Sequence, residues 1–124
     1  MPRYMQEGDD CVIIVQLESE PAIFNATNIS AVPGIDAVFL GPADLASSMG
    51  VDVDSHRFRQ VVSNLEQTCA ADNIVLATAS GSDSGAARTL VERGYQMLVL
   101  SNDAALLRMA ATTLVDSFHQ TRQE

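Results

Sequence analysis

The sequence reads as a parallel α/β fold of four βα units, and three observations carry that reading. Four short runs, at residues 11–17, 35–40, 74–78 and 97–100, are near-continuous in Val, Ile and Leu, as strands buried on both faces should be. Helical patterns come between and after them. Start and stop signals bound those patterns. Parallel strands joined by right-handed helical crossovers follow from this order. Four such units make either a small open sheet or half of an eight-stranded barrel.

The elements follow in order. After the first strand comes a weaker helix over 21–31, then a turn at Pro33-Gly34. The second strand runs into Gly41-Pro42-Ala43-Asp44. Phe58, Val61, Val62, Leu65 and Cys69 form one helical stripe, started by Asp54 or Ser55 and ended near Asp72 and Asn73. Ala86, Ala87, Leu90 and Val91 form a shorter one, closed by Gly94 as its C-cap. Leu106, Leu107, Ala110, Leu114, Val115 and Phe118 form the last, capped by Ser101 or Asn102. No linker, low-complexity segment or sequence repeat interrupts the chain, so residues 1–124 are expected to form a single domain unit.

Composition excludes several classes of function. The chain of 124 residues is 47% hydrophobic but only 5% aromatic, without Trp, so its core must be aliphatic. A formal net charge of -9 argues against nucleic acid and anionic membranes as partners. All seven basic residues are arginines. Without lysine there is no Schiff-base chemistry and no P-loop lysine. Cys11 and Cys69 have no metal-ligand spacing and are expected to be reduced, small hydrophobes. No apolar run reaches the length of a membrane span and no signal-peptide layout opens the chain, so a soluble, cytoplasmic protein is expected.

In parallel α/β folds the chemistry sits at the carboxyl ends of the strands. Gln16 and Glu18 share a face there, because side chains alternate with period two. Asp44 follows the second strand. Adjacent parallel strands lie about 4.8 Å apart, so Glu18 and Asp44 could reach one cation. Two hard oxygen ligands, with waters completing an octahedron, suit Mg²⁺ or Mn²⁺ better than zinc. The alternatives are a solvated loop for Glu18 and, for Asp44, the N-cap of a helix over 45–49. Gly41 lets backbone approach a ligand, Pro42 opens the next helix, and the N–H groups of Ala43 and Asp44 could bind a carboxylate or phosphate.

Other polar groups are weaker candidates. His56 and His119 lie on helices away from the strand tips. Ser80-Gly81-Ser82 resembles a small anion-binding loop but equally makes an ordinary one. Arg3 and Tyr4 could approach from the N-terminal segment, though no spacing supports it. Residues 50–54 read as a solvated acidic loop, and Asp103 as a first-turn acid favoured by the helix dipole.

Val15-Gln16-Leu17-Glu18-Ser19, followed by Val32-Pro33-Gly34-Ile35-Asp36-Ala37-Val38-Phe39-Leu40-Gly41-Pro42-Ala43-Asp44-Leu45, resembles the 4-hydroxy-2-oxoheptanedioate aldolase family. These are class II, metal-dependent pyruvate aldolases related to the citrate lyase β-subunit. The resemblance runs from Arg3-Tyr4 to about Leu107, and the two motifs at this separation are specific. It implies the C-terminal half, (βα)4, of a TIM (βα)8 barrel. Glu18 and Asp44 would then be ligands of Mg²⁺ or Mn²⁺. Gln16 and Thr78 would line the pocket, and Gly41, Pro42 and Ala43 would bind the carboxylate of a pyruvate-type 2-keto acid through backbone N–H groups. The implied reaction is carbon–carbon cleavage of a 4-hydroxy-2-keto acid to pyruvate and an aldehyde.

The departures from the family are as informative. Its catalytic histidine and substrate-binding arginine lie on earlier strands, upstream of anything present here, so no residue of this chain is assigned a catalytic role. The third strand lacks the family's glycine near Leu76 and has Thr78 where a leucine is usual. Ser101 stands where the family has glycine. The leading expectation is therefore a fragment or truncated aldolase with weak or no activity by itself. The alternatives are a non-catalytic metal- or keto-acid-binding half-barrel acting as an assembly partner, and a phosphate-binding half-barrel using Ser80-Gly81-Ser82. Exposed edges at the first and fourth strands would favour pairing with another chain. The family's last helix is exchanged between subunits, so a homo-oligomer is expected, with residues 104–118 docked on a neighbour.

Overall fold

A computed structural model describes residues 11–81 and 83–120. The elements are β1 (Ile14–Leu17), α1 (Glu20–Phe24), α2 (Ala26–Ser30), β2 (Ala37–Leu40), α3 (Pro42–Met49), α4 (His56–Asp72), β3 (Leu76–Ala79), α5 (Ser84–Glu92), β4 (Met97–Val99) and α6 (Asp103–Gln120). The strands form one sheet in the order β1-β2-β3-β4. All three pairings are parallel. All four expected strands are present, each shorter than its apolar run. Arg3, Tyr4 and Ser82 lie outside the described residues.

Register sorts the strand residues into two faces. Leu17 pairs with Leu40, Leu40 with Thr78 and Thr78 with Leu98. That row faces the helices and belongs to the core, in which Leu17, Leu40 and Leu76 pack with Ile23, Leu45 and Leu65. Gln16 pairs with Phe39, Phe39 with Ala77 and Ala77 with Met97. Because neighbouring residues of a strand point to opposite sides, this second row faces away from the helices.

The helices follow their local chemistry. Ser55 caps α4, its hydroxyl accepting from the Phe58 N–H at 3.2 Å. The stripe Phe58, Val61, Val62, Leu65 and Cys69 is buried as its spacing required. Asn73 ends α4 with φ 54°, a left-handed conformation that asparagine tolerates. Asp83 caps α5 by accepting from Gly85 N–H at 2.8 Å and Ala86 N–H at 3.3 Å. Arg93 is the C-cap and Gly94, at φ 98°, takes the turn after it, one position later than expected.

Three expectations on the helices change. The single helix over 21–31 is two short ones, broken at Asn25. In α5 no residue is buried, and Val91 is exposed. In α6 the cap is as expected, Asn102 Oδ1 accepting from Ala105 N–H at 2.9 Å. Its apolar stripe, however, faces solvent, with Leu107 73% and Leu114 71% exposed. A heptad-like apolar pattern says that a face must be buried, not by what.

Candidate metal and keto-acid site at the strand tips

Glu18 is the first residue beyond β1, and Gly41 the first beyond β2. The β1–β2 ladder continues past its last registered pair, with Gly41 N–H donating to Leu17 O at 3.4 Å. That sets Glu18 beside Gly41. The Glu18 side chain lies over the glycine: a Cβ at position 41 would meet Glu18 Cγ at 2.9 Å and Oε1 at 3.1 Å. The glycine is required by this close approach and not by backbone strain, since its φ is -92°.

The chain then enters α3 through Gly41 as N-cap and Pro42 as first helical residue, a position where the missing N–H costs nothing. Leu45 N–H returns to Gly41 O at 2.9 Å. Asp44 is therefore in the first turn and not the N-cap, which removes its capping alternative. No side chain caps this helix, so the first-turn N–H groups of Ala43 and Asp44 have no intrahelical or side-chain acceptor. Ala43 and Asp44 are exposed, and Glu18 is half-buried.

Gln16 lies on the face of the sheet away from the helices and is exposed, two residues before Glu18 on the same side. Thr78 does not join it. It occupies the Leu17–Leu40 row, is 2% exposed, and its hydroxyl donates to Leu40 O at 2.9 Å. The threonine is spent inside the helix-covered core. One step of strand alternation puts it on the opposite side of the sheet from Gln16. His119 stacks edge-on to Phe118 at the far end of α6, away from the strand tips, whereas His56 opens α4 next to Arg57, which pairs with Glu20 at 2.7 Å.

The groups with strongly shifted titration are elsewhere. Burial, and secondarily the Asp72 and Glu66 carboxylates, push the Cys69 thiol up to about 11. Burial and the Glu66 carboxylate raise the Tyr95 phenol far above its usual range. Arg93 joins that group through Glu66 at 2.6 Å and sits 6.0 Å above the Tyr95 ring. This cluster, between α4 and the α5–β4 connection, depends on a spatial neighbour that no sequence spacing encodes. A cavity of about 380 Å³, lined by Phe58, Val62, Leu90 and Tyr95 together with Pro42 and Thr78, lies on the helix side. Neither Glu18 nor Gln16 lines it.

Among the described residues no three His, Cys, Asp or Glu side chains are grouped to hold a metal ion. Glu18 and Asp44 are thus two ligands at most, and other positions would fall to water or a bound oxygen ligand. Their donor set is hard oxygen, and Gly41 leaves open the space the Glu18 carboxylate occupies. Both features fit a divalent ion such as Mg²⁺ or Mn²⁺.

Residues 3–111 match the family described as HpcH/HpaI aldolase/citrate lyase. The chain belongs to that family. Relatives include a hydroxypyruvate/pyruvate aldolase of Cupriavidus necator, 37% identical over 94% of this chain and 44% of its own length. A protein of the same description from Deinococcus radiodurans is 34% identical over 100% of this chain and 46% of its own length. Among solved structures, an HpcH/HpaI aldolase/citrate lyase family protein of Burkholderia cenocepacia superposes with a TM-score of 0.81 at 27% identity, over 95% of this chain and 47% of that one. The chain spans about half the length of the HpcH/HpaI relatives it matches. Its four βα units therefore correspond to half of an eight-stranded barrel, which decides between the two architectures the strand count allowed.

Proposed function

We propose that the chain contributes the carboxylate half of the metal and keto-acid site of a metal-dependent aldolase. One observation carries the reading: Glu18 is seated on Gly41, immediately before the exposed first turn of α3 that bears Asp44. Relatives described as hydroxypyruvate/pyruvate aldolase and 4-hydroxy-2-oxo-heptane-1,7-dioate aldolase support the substrate class. Residues 1–124 act in this reading as one partial barrel domain.

Glu18 and Asp44 would hold Mg²⁺ or Mn²⁺. When bound, such an ion supplies Lewis-acid polarisation of a 2-keto acid. The α3 first turn receives the substrate carboxylate on backbone N–H groups, with Gly41 and Pro42 holding that turn and Ala43 exposing it. Gln16, on the Glu18 face, offers an amide to a substrate oxygen. Thr78 stays in the core. The reaction is cleavage of a 4-hydroxy-2-keto acid to pyruvate and an aldehyde. No general base is assigned within the 124 residues, so by itself the chain binds better than it turns over.

Calorimetric titration with pyruvate, with and without Mg²⁺, tests the binding role. Metal-dependent pyruvate binding is the expected result, and equal binding in EDTA would remove the role of Glu18 and Asp44. Following pyruvate release from a 4-hydroxy-2-keto acid tests the other half of the reading. Robust, EDTA-sensitive turnover by the isolated chain would contradict it.

A second reading, a non-catalytic half-barrel acting as an assembly partner, is favoured by the solvent-facing stripe of α6. In it, α6 docks on a neighbouring subunit of a homo-oligomer. No helix among the described residues is long and apolar enough to cross a membrane. With a net charge of -9, a cytoplasmic protein without nucleic-acid partners is the reading that fits.

A further inference from the structure

α5 buries none of its own residues, and the cavity of about 380 Å³ lies where it meets α4. Phe58 and Val62 of α4 line one side, Leu90 of α5 another, and Tyr95 the approach to β4. The whole lining falls between Leu40 and Tyr95, within the described part of the chain. Its volume is in the range of about 300–1,000 Å³ that small-molecule sites occupy. Two polar groups of the wall are engaged elsewhere. Thr78 donates to Leu40 O at 2.9 Å, and Arg93 pairs with Glu66 at 2.6 Å. Arg59, exposed at the rim, is different. Its Nε and Nη2 both donate to the Asp54 carbonyl, Nε at 3.1 Å. That fixes one edge of the guanidinium and leaves the Nη1–Nη2 edge open. The acceptor is a neutral carbonyl, and among the described residues no carboxylate lies within ion-pairing distance of Arg59. A fixed guanidinium edge beside an apolar hollow suits a carboxylate carried on an apolar body.

We propose that the cavity between α4 and α5 binds a small organic carboxylate. The apolar body of the ligand packs against Phe58, Val62 and Leu90. Its carboxylate accepts two parallel N–H bonds from the open edge of Arg59. A chain of net charge -9 has no general affinity for anions, so binding of one reports this place. Glu18 and Gln16 do not line the cavity, and the inference stands whether or not the aldolase reading holds.

A methyl-resolved NMR titration of the 124-residue chain with 2-naphthoate tests it, with 2-naphthalenemethanol as the uncharged counterpart. Saturable shifts of the Val62 and Leu90 methyls are expected, the carboxylate binding about 10-fold tighter than the alcohol. Arg59→Gln should remove that preference and leave binding of the alcohol as it is. Arg59 is exposed, so the variant should fold, and the comparison of the two probes on the unaltered chain needs no variant. Absence of saturable shifts overturns the proposal. So does equal binding of the two probes, an unchanged preference in Arg59→Gln, or shifts confined to Leu114 and Val115 on α6.

Discussion

Glu18 lies against the Cα of Gly41, so close that a Cβ there would stand 2.9 Å from the Glu18 Cγ. Gly41→Ala is compatible with the backbone at φ -92° but not with the glutamate in its present place. The contact is with the middle of the side chain, so the carboxylate must move with it. Expected outcomes are a retained fold, a destabilisation of about 1–3 kcal/mol and a Mn²⁺ affinity lower by about 10-fold or more. Circular dichroism with denaturant and a metal titration separate these effects.

Thr78 gives the opposite pattern. Its hydroxyl is buried and bonded to Leu40 O at 2.9 Å, so Thr78→Val should cost about 1–2 kcal/mol through the lost hydrogen bond. Because the side chain faces the helices, metal and pyruvate affinity should be unchanged. A loss of pyruvate binding matching that of Gln16→Ala would return Thr78 to the pocket.

The cysteines differ in reactivity and in their effect on stability. Cys11 is exposed and Cys69 buried, so one thiol should react with a disulfide reagent in the native protein and two in denaturant. The Cys69 thiol is raised from 9.0 to about 11, first by desolvation, then by Asp72 and Glu66. A raised folded value favours the protonated thiol in the native state. Its contribution is full below pH 9 and is lost as pH rises from 9 through about 11. The urea midpoint should fall across that window, and Cys69→Ala should flatten part of the fall. The buried Tyr95 phenol, shifted in the same direction, accounts for a remaining slope.

The α6 stripe predicts association without folding consequences. Leu107→Glu and Leu114→Glu alter side chains that are 73% and 71% exposed, so the stability of a single chain should change by about 0.5 kcal/mol or less. Assemblies formed through α6 should dissociate. A large fall in the urea midpoint of the isolated chain would mean that α6 packs on its own sheet.

Element identity was legible in the sequence because strands and helices here carry opposite periodicities. Near-continuous Val and Ile gave β1 to β4, and Ser55 and Asn73 bounded α4 within a residue. What was not legible depends on which surface covers which. The stripes of α5 and α6 are of the same kind as that of α4, yet of the three only that of α4 is buried. The face of Thr78 was not legible either, because a one-residue step in a strand reverses it and the strand's bounds came only with the structure. Gly41 reads in the sequence as a glycine that lets backbone approach a ligand; that Glu18 lies against it required the register that sets Leu17 opposite Leu40.

A Mn²⁺ titration followed by electron paramagnetic resonance, on the unaltered chain and on Glu18→Gln and Asp44→Asn, tests whether Glu18 and Asp44 hold a divalent ion. Saturable binding by the unaltered chain is expected, with affinity lowered by about 10-fold or more in each variant. Equal affinity in all three proteins would contradict it.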